Sequence, residues 1–501
     1  DMYGKCGSLQ DAKNVFDDHE CRTTVTWNAL IVSYMEHSYF KEAFNCCTIM
    51  QNHGISLDAI TFSCKLKTCA SKEIPAVYTE ITMKSLEREV MISNVLIDMY
   101  AKCGMFLEAR AVLDKLPTQT VIAWTTLIAG LTDHGYVEEA LHCFQEMQVK
   151  ELCLNSVTYI CISKACAGMR SCIWGQQLHI EISRKGLERD ILVGSALVDM
   201  YFKCHLLVEA QDVFNNILDQ DVVLWNALIV GYTENGFGEE ALKAFEEMQR
   251  EGIPSDSVTI MCCLKACGII RNMDKGKAIH VIIAKMGLER ETLLGNTLID
   301  IYAKHGFLKE AQQVFDMILL QDVVSWNVLI TGYAHQRNSA IPGLKSFQQM
   351  QLEGICPNAI TFLGMLKAIS SIGFLLKGQQ IHAQILPNQL HEKDVVIANA
   401  LIDMYAKCGR LVKAQELFDE LLILDVISWN VLITGYAQYD AEKALSHFKR
   451  MQMGSFSPDA VTFTCILKAC ASMGARTLFK GKTVHSQVLR YGLLEKDVVI
   501  G

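Results

Sequence analysis

Asparagine follows tryptophan at Trp27-Asn28, Trp225-Asn226, Trp326-Asn327 and Trp429-Asn430, and threonine follows it at Trp124-Thr125. These five phrases recur at intervals of 97 to 103 residues (27 to 124, 326 to 429). An amide offers both a donor and an acceptor, so its chemistry is recognition through hydrogen bonds. Asn is also a mediocre helix former. Directly after Trp in an apolar stretch, it costs stability unless a partner uses it.

Metal and nucleophile chemistry is the competing possibility, because the chain carries 20 cysteines and 14 histidines. Cys64/Cys69, Cys161/Cys166, Cys262/Cys267 and Cys465/Cys470 are i, i+5 pairs. On a helix such a pair diverges by about 140°, so its thiols do not converge on a metal. Gly364 and Ile369 replace one pair, and Cys103 and Cys408 align with His305. Exchange with such residues points to packing as small hydrophobes in a reducing compartment. His179, His280, His382 and His485 recur too far apart to share a site. His179-x-Glu181 matches a fragment of a zinc deaminase signature, but no Cys-x-x-Cys accompanies it. No Walker or dinucleotide loop occurs. The residues imply no metal, no cofactor, no small-molecule substrate and no enzyme.

The elements that must position these residues are helices. In the block from Val222, Trp225, Leu228, Ile229 and Tyr232 stand at i, i+3, i+4, i+7, which is one helical face. Asn235-Gly236 breaks it, Ala241, Leu242, Phe245 and Met248 mark a second helix, and Gly252 ends that one. The unit is a helical hairpin of about 35 residues, and three such units fill each long period. A lone hairpin cannot bury its apolar stripe, so neighbours must stack.

The expected fold is therefore all-α, with tandem helix–turn–helix repeats stacked into a right-handed α-solenoid superhelix. Half the residues are hydrophobic and only 7 are proline, which suits uninterrupted helices. The net charge of −9 argues against coating nucleic acid by bulk charge. No apolar run is long enough to span a bilayer, so no membrane partner is expected.

The phrases Val323-Val324-Ser325-Trp326-Asn327-Val328-Leu329-Ile330-Thr331-Gly332-Tyr333 and Ala311-Gln312-Gln313-Val314-Phe315-Asp316 resemble pentatricopeptide repeat motifs. The alternation of ordinary (P), long (L) and short (S) units resembles the PLS class of plant organelles. In that register the P units are 24–58, 121–155, 222–256, 323–358 and 426–459. The L units are 59–89, 156–190, 257–291, 359–394 and 460–497, the first clipped around Lys72-Glu73-Ile74-Pro75. The S units are 90–120, 191–221, 292–322 and 395–425. A partial S unit, 1–23, opens the chain and another begins at Val498. The whole of 1–501 reads as one continuous array.

The resemblance implies single-stranded RNA as partner, one base per P or S unit, read by three positions. The second residues, Val25, Met91, Ile122, Leu192, Val223, Leu293, Val324, Val396 and Ile427, would sandwich bases; the plain alternative is that they are core. The fifth residues are Asn28, Asn94, Thr125, Ser195, Asn226, Asn296, Asn327, Asn399 and Asn430, whose alternative role is a bond to the backbone. The last residues are Asp58, Thr120, Asn155, Asp221, Asp256, Asp322, Asn358, Asp425 and Asp459, whose alternative role is capping the next helix. In the family's code Asn with Asp favours U, Asn with Asn C over U, Thr or Ser with Asn A, and Thr or Ser with Asp G. The L-unit fifth residues, Ser63, Ile160, Met261, Leu363 and Thr464, include three that cannot hydrogen-bond a base, so L units read as spacers.

The resemblance further implies a mitochondrial or chloroplast location and a role as specificity module of a C-to-U RNA editing factor. Other proteins of an editing complex are implied partners, and any deaminase domain would lie beyond Gly501. RNA stability, processing or translation is the alternative role. A third reading, a tetratricopeptide-type protein scaffold, predicts fifth residues buried in the core, whereas RNA reading predicts them exposed along a basic concave strip.

Overall fold

The structure, a computed structural model, describes residues 2–19, 22–68, 74–84, 89–288, 290–336, 340–386, 394–421, 423–472 and, singly, Val484, Ser486 and Val488. Cys69, Lys72, Glu73, His485 and the unit expected from Val498 lie outside the described residues. The chain forms two compact units, Asp1–Thr259 and Ile260–Gly501. Among the described residues each consists of α-helices joined by short turns, without strands.

Within each unit the expected hairpins are present. Val222–Glu234 buries Leu224, Trp225, Leu228 and Ile229. Gly236 then turns the chain at φ +83°, a conformation in which a Cβ would be strained. Gly238–Arg250 buries Ala241, Leu242, Ala244, Phe245 and Met248 and leaves Glu239, Glu246, Glu247 and Arg250 outside, the pattern of a stripe facing a core.

Second-helix length varies from repeat to repeat. It is 13 residues in Val137–Val149 and Gly238–Arg250, but 9 or 10 in Phe106–Lys115, Leu207–Asn215, Leu308–Met317 and Leu411–Asp419. First helices run to 14 residues in Ser156–Met169, Ala359–Ile372 and Val426–Tyr439.

First helices stack on first helices: Ile191–Lys203 packs between Ser156–Met169 and Val222–Glu234, and Val323–His335 between Thr292–Lys304 and Ala359–Ile372. Their approach is close. A Cβ on Gly332 would lie 2.5 Å from the Ala303 Cβ, and Gly130 and Gly435 stand in the same relation to Ala101 and Ala406. Each repeated Trp is 0–4% exposed. Phe16, Phe214, Phe315 and Phe418 meet Trp27, Trp225, Trp326 and Trp429 edge-on, with ring centroids 4.5–4.7 Å apart. Where Leu113 stands in place of that Phe, Arg110 and Lys150 lie over Trp124 at 4.8 and 4.7 Å instead, a cation–π substitute for the aromatic contact.

Candidate functional site

Where first helices stack, the second, fifth and last residues of one repeat lie beside the second residue of the next, as Ile122, Thr125, Asn155 and Val157 do, and Val324, Asn327, Asn358 and Ile360. The second residues are not core. Val25, Met91, Ile122, Leu192, Val223, Leu293, Val324, Val396 and Ile427 are 45–75% exposed. Ile60, Val157, Val258, Ile360 and Val461 of the long units are exposed in the same way. These aliphatics remain about half solvated or more, so folding gains only part of what their burial could supply, and their outer faces are open to another use.

Beside these aliphatics lie open cavities. One of about 330 Å³ is lined by Ile122, Thr125, Asn155 and Val157, with Asp98 and Lys102 at its edge. A second of about 270 Å³ is lined by Val324, Asn327, Asn358 and Ile360, with Asp300 and Lys304 at its edge. Each is several times the ~30 Å³ that one water occupies in the liquid, large enough for a planar ring. In both, the exposed aliphatics of adjoining units form the sides, and the fifth and last residues complete the lining.

The fifth residues are recessed, contrary to the expectation of exposure. Asn28, Thr125, Ser195, Asn296, Asn327, Asn399 and Asn430 are 5–9% exposed, while Asn94 and Asn226 are half-buried. Most of them meet polar partners, chiefly last residues. Asn28 Nδ2 donates to Asp58 at 2.7 Å. Asn226 Nδ2 donates to both Asp256 oxygens at 3.1 and 3.0 Å. Asn430 Nδ2 does the same to Asp459, at 3.0 Å to each oxygen. Asn327 Nδ2 donates to Asn358 Oδ1 at 3.0 Å. The Asn296 and Asn399 side chains bond Asp322 and Asp425. Ser195 differs: its hydroxyl donates to its own helix, to Ile191 O at 2.8 Å.

The last residues also cap the next helix, so both roles envisaged for them are compatible. Asp58, Asn155, Asp221, Asp256, Asp322, Asn358, Asp425 and Asp459 accept from the backbone N–H three residues on, as does Thr120 from Ala123 N. That bond fixes polarity. A helix-start N–H demands an oxygen, so Oδ1 of Asn155 and Asn358 faces the helix and Nδ2 is left to donate elsewhere.

Sequence reasoning missed Thr158, Thr259, Thr361 and Thr462. Thr158 Oγ1 lies 2.8 Å from Thr125 Oγ1. The other three donate to Asn226, Asn327 and Asn430 Oδ1 at 2.6, 2.5 and 2.5 Å. The signal was present: threonine is the third residue of every long unit. Charge on the first helices is mixed. Lys102, Lys203, Lys304 and Lys407 recur on the first helices, but each is paired with Asp98, Asp199, Asp300 or Asp403 at 2.6–2.9 Å. Lys164, Lys265, Lys367 and Lys468, on the first helices of the long repeats, are exposed.

The PPR repeat family matches residues 22–71, 119–168, 220–268 and 424–472. A second PPR repeat pattern matches 92–119, 296–323 and 396–426, and the pentatricopeptide repeat domain matches 319–371. A mitochondrial pentatricopeptide repeat-containing protein of Arabidopsis thaliana is 32% identical over 479 residues, 94% of this chain and 69% of that protein. The chain belongs to the pentatricopeptide repeat family. A chloroplastic member from the same plant is 30% identical over 478 residues, 94% of this chain but 59% of its own length, so the array here spans well under two thirds of that relative. Maize PPR10, itself a pentatricopeptide repeat protein, superposes with a TM-score of 0.64 at 19% identity, over 98% of this chain and 78% of that one. PPR10 in complex with an 18-nt psaJ RNA element superposes at 0.56 and 16% identity, over 98% and 83%.

In this pentatricopeptide repeat protein the recurrent histidines have structural partners. His179, His280 and His382 Nδ1 share hydrogen bonds with the hydroxyls of Tyr201, Tyr302 and Tyr405, at 2.7–2.9 Å. Cys166, Cys267 and Cys470 are buried, and burial pushes the Cys166 thiol up to about 12. Among the described residues no three His, Cys, Asp or Glu side chains are grouped to hold a metal, and no helix is long and apolar enough to cross a membrane.

Burial alone would raise the carboxyls of Asp58, Asp256, Asp322, Asp425 and Asp459. Hydrogen bonds from the Thr or Ser at the next helix start and from the fifth-position Asn outweigh it and lower all five. A carboxyl depressed in the folded state stabilises above its unfolded value, and that stability is lost as pH falls through the folded value. Asp256→Asn should therefore be less stable than wild type at pH 7. In thermal unfolding between pH 7 and 3 the gap should narrow only below the ordinary carboxylate range, about pH 4. A gap already closed at pH 5 would contradict the arrangement.

Proposed function

We propose that this chain binds single-stranded RNA, reading one base with each ordinary or short unit. The observation that carries this is the repeated cavity with exposed aliphatics of adjoining units for sides and a recessed fifth–last pair beside them. The aliphatic pair Val324 and Ile360 would sandwich a ring, and the polar pair would meet its Watson–Crick edge. The likeness to PPR10, solved with an RNA element, supports the reading.

Hydrogen-bond polarity accounts for the pairing. U and G present an N–H at the centre of the edge, whereas C and A present a bare nitrogen. Asp at the last position is an acceptor held ionised, and suits U or G. Asn at that position, its Oδ1 committed to the helix start, offers a donor and suits C or A. A fifth-position Thr or Ser leaves room for a purine. From unit 24–58 onward the target is 5′-U-n-Y-A-n-G-U-n-U-Y-n-U-U-n-3′, with the N-terminus at the 5′ end.

Burial of the fifth residues had been the mark of a protein scaffold. Their partners here are polar and their cavities open, which favours base reading over that alternative. The alternation of helix lengths supports assignment to the PLS class and, with it, a role as specificity module of an organellar C-to-U editing factor. Relatives named mitochondrial and chloroplastic support an organelle as the site of action.

Fluorescence anisotropy with the RNA above is the test. Matched single strand should bind, its duplex should bind at least ten-fold more weakly, and affinity should fall as salt rises. Equal affinity for duplex and single strand would overturn the reading.

A further inference from the structure

Thr61, Thr158, Thr259, Thr361 and Thr462, the third residues of the long units, are all 0% exposed. A buried hydroxyl must find partners. One job is local. Thr259 and Thr361 accept from the backbone N–H of Asp256 and Asn358 at 3.2 and 3.0 Å, closing a capping box. Ser325 and Ser428, the third residues of two ordinary units, bond the last residue only, donating to Asp322 and Asp425 at 2.9 and 2.7 Å.

Capping does not explain where the threonine proton goes. Thr259 Oγ1 is 2.6 Å from Asn226 Oδ1 and 2.9 Å from Asp256 Oδ1. For Thr361 the distances are 2.5 Å to Asn327 and 3.1 Å to Asn358. For Thr462 they are 2.5 Å to Asn430 and 2.8 Å to Asp459. A hydroxyl has one proton, and in each case the nearer acceptor is the fifth-position amide of the preceding unit. By contrast no protein donor reaches the buried Oδ1 of Asn296 or Asn399, which precede Ser325 and Ser428, nor that of Asn28, since Thr61 Oγ1 bonds Asp58 alone.

We infer that Thr259, Thr361 and Thr462, third-position threonines of long units, are specificity-positioning residues, each for the ordinary unit before it, whereas Thr61 serves only as a cap. Each of the three holds Oδ1 of the reading asparagine while the last residue holds Nδ2. The amide is then pinned at both ends and presents one fixed N–H and one fixed lone pair to the base. Thr158 plays the same part for Thr125 through the shared hydroxyl bond. This rests on the base-reading function proposed above.

The test uses the whole chain and RNAs that differ only in U or C at the nucleotide facing Asn226. Thr259→Val keeps the side-chain shape and removes the hydroxyl. It should lower the U-over-C affinity ratio at that nucleotide about five-fold, the effect of one hydrogen bond, and Thr259→Ser should restore most of it. The ratio at the nucleotide facing Asn296, measured on the same proteins, is the reference for a general loss of structure. A Thr259→Val ratio equal to wild type's, an equal fall at both nucleotides, or no recovery with Ser would each overturn the positioning role. Indifference of the wild type itself to the nucleotide facing Asn226 would instead overturn base reading.

Discussion

Ser195→Asn should convert the unit 191–221 from a G reader to a U reader. The Ser195 hydroxyl gives its proton to Ile191 O at 2.8 Å, so it turns lone pairs outward. Asp221 caps Leu224 N at 2.9 Å and remains an acceptor. Two acceptors beside a small side chain suit guanine, whose edge carries adjacent N–H groups. The equivalent short units show what Asn does there: Asn296 and Asn399 bond Asp322 and Asp425. An Asn at 195 would complete the same pair with Asp221 and fill the space the purine needs. Exchanging one favoured base for another should shift the G-to-U affinity ratio by about 10- to 100-fold, from the ~1–3 kcal/mol typical of a mismatched position. Both proteins should be titrated with RNAs differing only at that nucleotide. A preference that stays with G would mean that Ser195 is simply a helix residue bonding its own backbone.

Trp326→Ala should have the largest effect on stability. Trp326 is 3% exposed, and Phe315 meets it edge-on with centroids 4.6 Å apart. It joins the second helix of one unit, Leu308–Met317, to the first helix of the next, Val323–His335. Removing a buried Trp costs about 3–5 kcal/mol, because the cavity left behind adds to the lost transfer energy. Stacked repeats gain their stability from neighbours, so the loss should be local. Hydrogen exchange should accelerate in Val323–His335 and in the helices packed on it, Thr292–Lys304 and Ala359–Ile372. Val121–Asp133, in the other compact unit, should keep its protection. Uniform acceleration throughout the chain would show that the chain unfolds as one cooperative block.

Helices, their order and their turns were legible because they follow from local rules. Apolar spacing marks one face, Asn-Gly and Gly supply positive φ, and the Trp phrases mark the register. Capping by the last residue was legible too, since Asp and Asn before an apolar run satisfy helix-start N–H groups wherever they occur. The second residues were ambiguous. Val324 looks the same in sequence whether it faces core or solvent, and only the packing of neighbouring first helices leaves it 49% exposed. A lysine count does not reveal partners either: Lys304 is held by Asp300 at 2.6 Å, whereas Lys265 stands exposed.

The sequence by itself determined the repeat, the hairpins and the candidate reading positions, because periodicity and turn chemistry act within a few residues. Tertiary structure decided how those positions are held. Asn226 meets Asp256 and Thr259 across 30 and 33 residues, and Asn327 meets Asn358 and Thr361 across 31 and 34. These contacts require one unit to be stacked on the next. Which atom of an amide faces its partner, and which remains free, depends on a helix start that only the adjoining unit brings within reach.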